Sequence, residues 1–365
     1  MAAAVPLFKV FLPPESELIP RLRDVLYSGQ ISESEPVYEF ERRFGEFIGQ
    51  PNVLSFYSGT AALHEALILA GVQPGDDVIS TAMTAEPTNM AIRHAGANVV
   101  WADVDPLNGN LSAASIAERI TPRVKAIMVV HYGGIPASLE AIRRVAAAHG
   151  VPVIEDAAHA LGARYGGHAV GTQSEYGMFS FQAIKHMTTV DGGMLVCQDP
   201  DDLPVGRKVR WFGMDRKAPR TELDVDLVGY KYHMNNVNAT IGIVQLDHIR
   251  GVIDRHIQNG QFFDRALRGI PGLELCSWEP VAEPSYWFYT VLAERRDDLA
   301  RRLNEHGISN SQSHRRNDFH SVFAGSRCEL PGLDRFYAKM LHIPCGWWVT
   351  DEDRERITDL ISGGW

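Results

Sequence analysis

Two residues of this chain have the types and spacing to do chemistry together. Asp156 closes the apolar run Val153-Ile154-Glu155-Asp156, and Lys185 follows 29 positions later (185 − 156) in Phe179-Ser180-Phe181-Gln182-Ala183-Ile184-Lys185-His186. An amine that holds an aldehyde cofactor as a Schiff base must be partly desolvated, so that its neutral form is accessible. The pyridine nitrogen of pyridoxal phosphate (PLP) in turn needs a carboxylate to keep it protonated. Lys185 and Asp156 fit those two roles. Taken singly, each has a plain alternative, because most lysines are solvated surface charges and an Asp after an apolar strand is often a helix cap. A third motif adds weight: Phe56-Tyr57-Ser58-Gly59-Thr60-Ala61-Ala62-Leu63 reads as a strand end, a glycine turn and a helix start. Free backbone N–H groups and the positive end of a helix dipole favour a phosphate there.

The elements that must position these residues follow from the hydropathy pattern. Gly192-Gly193 and the apolar run Met194-Leu195-Val196 come soon after Lys185, which puts the lysine in a loop between two strands of a buried sheet. Between about residues 51 and 200, short apolar runs alternate with longer amphipathic ones: Val53–Phe56, Asp77–Ser80, Asn98–Trp101, Ala126–Val130 and Val151–Ile154, with a helix expected over Leu139–Ala148. This alternation predicts stacked βαβ units, hence an α/β fold with a mostly parallel sheet and helices on both faces. Ligands of such sheets gather at the carboxyl ends of the strands, where Asp156 and Ser58 would sit. A long amphipathic segment, about Asn235 to Phe263, leaves the sheet. Beyond it, Tyr286–Leu292 reads as a strand and Asp297–His306 as a helix. The expected division is a large cofactor-binding domain, 1–250, and a smaller C-terminal α+β domain, 251–365.

With 365 residues the chain is long enough to bury an extensive core. Its formal net charge of −10 argues against general affinity for nucleic acid or anionic membranes. The four cysteines, Cys197, Cys276, Cys328 and Cys345, form no CxxC pair, so neither a disulfide framework nor a metal cluster is indicated. With no signal-like start and no long apolar span, the expectation is a cytoplasmic protein acting on small molecules, with no metal.

Taken together, the motifs resemble the DegT/DnrJ/EryC1/StrS family of PLP-dependent sugar aminotransferases, within the fold-type-I aminotransferase superfamily. The resemblance runs from Ser28-Gly29-Gln30-Ile31 and Phe40-Glu41-Arg42-Arg43-Phe44, through Ser58–Leu63, Glu155-Asp156-Ala157-Ala158-His159-Ala160 and Phe179–Gly193, to Tyr230-Lys231-Tyr232-His233-Met234-Asn235 and Ile343-Pro344. It implies that Lys185 is the Schiff-base lysine and later the general base, and that Asp156 partners the pyridine nitrogen. It also implies that His159 faces the cofactor ring or its hydroxyl, and that Thr60, Ala61 and Ser180 contact the phosphate. Lys231 corresponds to a residue that reaches the phosphate from the neighbouring subunit, so the resemblance implies a homodimer with shared sites. One departure is Ala85, where many relatives carry an aromatic residue that stacks on the pyridine ring.

The activity implied is exchange of an amino group between glutamate and a keto-deoxysugar, most often nucleotide-linked, with the cofactor passing through pyridoxamine phosphate. Arg216, Lys217 and Arg220, together with His314, Arg315 and Arg316, could hold a diphosphate or the sugar; solvated basic faces are the alternative. Two other readings share the same frame. A PLP-dependent sugar dehydratase is one, although known relatives of that kind replace the lysine by histidine. The other is a non-catalytic sensor that retains the fold.

Overall fold

The computed structural model describes residues 3–216 and 218–365, so Lys217, one of the expected basic residues, lies outside the described part. Its centre is a seven-stranded sheet. The strands in chain order are β1 (Val53–Phe56), β2 (Asp77–Ser80), β3 (Asn98–Trp101), β4 (Val124–Val130) and β5 (Val153–Asp156), then the two-residue strands β6 (Arg164–Tyr165) and β7 (His168–Ala169), then β8 (Tyr176–Ser180) and β9 (Gly193–Cys197). The large sheet has the order β1-β9-β8-β5-β4-β2-β3, in which β9 runs against all the others. A mostly parallel α/β sheet is therefore what the alternating pattern specifies. The antiparallel β9 arises because a loop of twelve residues, 181–192, returns directly from β8 with no crossover helix.

Strand residues alternate between two cores, as the period of two requires. Ile127, Val129, Val153 and Phe179 face one core with Phe40 and Phe44. Met128, Ile154, Met178 and Leu195 face the other with Ala62, Leu63 and Ala66. The helices covering the sheet are α1 (Glu15–Tyr27), α2 (Glu35–Ile48), α3 (Gly59–Leu69), α4 (Glu86–His94), α5 (Ala113–Arg119), α6 (Leu139–His149), α7 (Asp202–Val209) and α8 (Asn236–Leu246). α2 illustrates the local logic: Ser34 precedes it, Pro36 lies in its first turn, and Gly49 ends it with φ of 76°, where a side chain would be strained.

The expected single segment from Asn235 to Phe263 is two helices, α8 and α9 (Ile249–Ala266). The break at Asp247-His248 lets α8 pack against α1 and α2 while α9 packs against the C-terminal helix, which one straight rod could not do. Beyond α9, β10 (Leu273–Leu275), β12 (Tyr289–Ala293) and β13 (Met340–Ile343) form an antiparallel sheet, and β11 (Ala282–Glu283) pairs with β6. α10 (Arg296–Glu305), α11 (Pro331–Lys339) and α12 (Asp351–Ser362) complete this C-terminal part, whose core also takes in Val5 from the other end of the chain. The strand expected from Tyr286 begins only at Tyr289. Tyr286 adopts φ of 49°, and the backbone amides of Ser285 and Trp287 donate to Gly134 and Gly133 instead of to a strand neighbour.

Candidate active site

Asp156 is the last residue of β5 and Ser180 the last of β8, its parallel neighbour, so two strand ends open onto one point. The start of α3 is brought there by a close backbone approach. A Cβ on Gly193 would sit 2.6 Å from the nitrogen of Gly59, so only glycine lets β9 begin against that turn. Ser58 caps the helix by accepting a 3.2 Å hydrogen bond from the Ala61 amide. The result is a cavity of about 400 Å³ whose lining includes Ser58, Gly59, Thr60, Asp156, His159, Ser180, Lys185, Trp287 and His314.

Asp156 is buried. Its Oδ2 accepts a 2.7 Å hydrogen bond from the Thr88 hydroxyl and its Oδ1 a 3.0 Å bond from the Ala158 amide. Burial pushes the carboxyl above its usual range, against the pull of those two bonds and of the Lys185 charge. Lys185 sits in the turn after β8, where its amide donates to the Gln182 carbonyl at 2.9 Å. Burial brings its ammonium down to about 7, opposed by Asp156, so a large share of neutral amine exists at physiological pH. His159 is buried as well, with its ring stacked on Trp287 at 3.9 Å and 18°. The Gly133 amide donates to its Nδ1 at 3.4 Å, which leaves the proton on Nε2. Burial first, then the neighbouring Lys185 charge, holds this imidazole neutral.

The structure thus joins Lys185, Asp156, His159, Thr60, Ser180 and His314 in one cavity. Ala61 lies just behind it, with its amide engaged by the Ser58 cap. His314 has an Nε2 that is buried without a hydrogen-bond partner in the chain, and its ring is parallel to that of His159 at 5.5 Å. Burial, then the Lys185 charge, lowers it to about 3. The remaining basic residues lie elsewhere in the chain. Arg216 pairs with Glu33 at 3.2 Å, lies 4.2 Å from the Trp211 ring, and lines a separate cleft with Arg210 and Tyr38. Arg220 is exposed, and Arg315 lies 5.8 Å from the Phe319 ring. Arg316 is buried in ion pairs with Asp318 and Asp334, a structural role. Lys231 is exposed on a segment that bridges Trp211, outside the cavity of its own chain.

Sequence reasoning missed Thr88 and Trp287. Thr88 lies in the first turn of α4 and accepts a 2.9 Å hydrogen bond from the hydroxyl of Thr84, which precedes the helix, while donating its own proton to Asp156. Trp287 was hidden in the aromatic run Tyr286–Tyr289, which reads as a strand. Ala85, the residue before α4, does line the cavity. The aromatic rings there come from His159, Trp287 and His314. Among the described residues, no group of three or more His, Cys, Asp or Glu is placed to hold a metal, and no helix is long and apolar enough to cross a membrane.

These residues fit PLP. The start of α3 offers amides and hydroxyls to a phosphate, Asp156 is a buried carboxyl that suits a cationic partner, and an amine of lowered basicity lines the same cavity. The fold and the site define a fold-type-I, PLP-dependent aminotransferase. The chain belongs to the DegT/DnrJ/EryC1/StrS aminotransferase family, whose model matches residues 14–362. Among solved structures, the sugar aminotransferase CalS13 from Micromonospora echinospora is 38% identical, with a TM-score of 0.95 over 99% of this chain and 100% of its own. AtS13 from Actinomadura melliaura is also 38% identical, at 0.95 over 100% of both chains. The aminotransferase TlmJ from Streptoalloteichus hindustanus is 32% identical, at 0.91 over 99% of this chain and 98% of its own.

Proposed function

We propose that this enzyme moves an amino group from glutamate to a keto-deoxysugar carried on a nucleotide diphosphate, with Lys185 as the acid–base group. The observation that carries the reading is the pairing, across one small cavity, of a lysine near neutrality with a buried carboxylate. The likeness to CalS13 supports a sugar as the acceptor. When bound, PLP supplies the electron-withdrawing ring. Asp156 would hold the ring nitrogen and keep it protonated. The amine of Lys185, lowered towards neutrality by burial, would take and return the substrate proton. Thr60, Ser180 and the first amides of α3 would hold the phosphate, the helix dipole adding to the attraction. With Nδ1 engaged by the Gly133 amide, His159 would offer its Nε2–H to the bound cofactor, and His314 would offer a neutral imidazole to the sugar.

The same reading makes the active unit a homodimer in which the partner subunit's Lys231 completes the phosphate site. It assigns Arg216, Arg220 and Arg315, which lie outside the cavity of their own chain, to the diphosphate of the acceptor in the assembled dimer, divides the chain into two domains near residue 250, and locates the enzyme in the cytoplasm. The test is turnover with glutamate against a panel of nucleotide-linked 3-keto and 4-keto sugars and nucleotide-free ketones. Amination of a nucleotide-linked ketosugar is expected. Turnover confined to nucleotide-free ketones would replace the acceptor, and loss of water from the sugar without net amino transfer would make the enzyme a dehydratase.

A further inference from the structure

The C-terminal part of the chain reaches into the cavity through Trp287 and His314, and Trp287 is the one that touches the lysine. Trp287 follows Tyr286, whose φ of 49° turns the chain, and its amide donates a 3.0 Å hydrogen bond to the Gly133 carbonyl in the turn after β4. The approach is tight: a Cβ on Gly134 would lie 2.8 Å from the Tyr286 nitrogen and 2.9 Å from that of Trp287. Having been brought to the sheet in this way, the indole makes four contacts at once. Its Nε1–H donates a 2.8 Å hydrogen bond to the carbonyl of Ile184, the residue before the lysine. The Nζ of Lys185 lies 3.8 Å from the centroid of its ring. One neighbour in parallel stacking is His159 at 3.9 Å and another is Phe8 at 4.7 Å. Trp287 is 2% exposed, so all of this takes place out of contact with bulk water.

We propose that Trp287 is a positioning residue for Lys185, fixing the amine beside His159 and keeping water from it. The inference rests on the reading of Lys185 as the acid–base group. The physical logic has three parts. The Nε1–H bond clamps the backbone immediately before Lys185, so the amine swings from a fixed point. The ring face is electron-rich and attracts the ammonium without giving it a proton acceptor, so the amine is held and not neutralised by a partner. The bulk of the indole excludes water on that side. Of the titratable groups that act on Lys185, Asp156 comes from β5, His159 from the loop after it, His186 from the same segment and His314 from the C-terminal part. All three imidazoles are held neutral by burial. Asp156 alone adds charge, and water exclusion, to which the buried indole of Trp287 contributes, opposes it. His159 cannot take over the positioning role, because its own ring is held by stacking on the same indole.

The experiment measures the reactivity of the Lys185 amine towards acetic anhydride as a function of pH, read by peptide mass spectrometry on full-length protein freed of PLP. Wild-type protein is compared with Trp287→Ala, Trp287→Phe and Lys185→Ala, alongside circular dichroism and the kcat and KM of the glutamate half-reaction after reloading. For Trp287→Ala, the midpoint of Lys185 reactivity is expected to rise from about 7 towards the ~10.4 of an exposed lysine. Its kcat should fall on the order of 100-fold with KM little changed, as for a misplaced reacting group. Trp287→Phe keeps a ring and loses the Nε1–H bond, so its midpoint should stay near that of the wild type while kcat falls about 10-fold, as expected for loss of one hydrogen bond. A folded Trp287→Ala protein with the wild-type midpoint and kcat overturns the proposal. If that variant does not fold, an unchanged kcat in Trp287→Phe overturns it equally. Retained turnover in Lys185→Ala would instead remove the acid–base role of Lys185 itself, a separate failure.

Discussion

The hydroxyl of Thr88 donates a 2.7 Å hydrogen bond to Oδ2 of Asp156, across 68 residues of sequence. The bond links the first turns of α4 to the end of β5 inside a region closed to water, and it leaves the carboxylate with one oxygen on a side chain and the other on the Ala158 amide. A buried carboxylate in that setting has its orientation fixed before any cationic partner arrives, which is the preorganisation an electrostatic site needs.

Replacing Thr88 by Val keeps the shape and removes the donor. A hydrogen bond to a charged group contributes about 1.5–3 kcal/mol, so PLP should bind roughly 10- to 100-fold more weakly. Thr88→Ser should recover most of the loss. Titration of apoprotein with PLP by tryptophan fluorescence reads both variants, and equal affinity in Thr88→Val and wild type would show that Asp156 does not depend on this bond.

Lys185 has a second signature, in stability. Its basicity is lowered to about 7 in the folded apoprotein by burial, and is near 10.4 in the unfolded chain. Between these values the unfolded state binds more protons, so the burial penalty is absent above about pH 10, grows as pH falls, and is full below about pH 7. Lys185→Met should therefore stabilise the apoprotein by about 2–4 kcal/mol at pH 6.5, with a gain that shrinks steadily towards pH 10. Urea denaturation at four pH values measures it. A gain that does not vary with pH would mean that the amine is solvated in the folded state.

Much of this site was legible in the sequence because it rests on local rules. Ser58 before a helix, Asp156 at a strand end and Lys185 in a loop between two apolar runs are each read from a few neighbours, and the sheet follows from alternation. What stayed hidden depends on contacts between distant segments. Trp287 reaches Ile184 and His159 only because Tyr286 turns the chain away from strand geometry, and no periodicity in an all-aromatic run signals such a turn. Arg216 looked like a ligand group in sequence, but within its own chain it is paired with Glu33, 183 residues earlier (216 − 33). Composition cannot tell a paired arginine from one that awaits a phosphate.

Val190 lies in the loop that carries Lys185 and has φ of 73°, although its β-branched side chain is 57% exposed. A left-handed backbone costs an L-residue roughly 1–2 kcal/mol, while glycine loses about 0.5–1 kcal/mol through its extra freedom when unfolded. Val190→Gly should therefore raise stability by a few tenths to about 1 kcal/mol, visible as a small upward shift of the thermal midpoint in scanning calorimetry. A fall in the midpoint would show that contacts of the valine side chain outweigh its backbone strain.

His314 offers a way to separate the two half-reactions. Its imidazole is lowered to about 3, so it stays neutral throughout the working pH range and acts as a hydrogen-bond group with no charge to offer. Glutamate carries carboxylates, whose strongest partners are cations, whereas a ketosugar presents hydroxyls that suit a neutral donor or acceptor. Its Nε2 finds no partner within the chain, so a ligand hydroxyl would satisfy a group that is otherwise left without one. His314→Phe retains the parallel ring beside His159 and removes both nitrogens. The glutamate half-reaction, followed by stopped-flow absorbance, should slow little, while kcat/KM for the ketosugar falls about 10-fold, as for one lost hydrogen bond. No pH dependence of that ratio is expected between pH 6 and 9, because the wild-type imidazole does not titrate there. Equal losses in both half-reactions would assign His314 to the framework around His159 and not to the sugar.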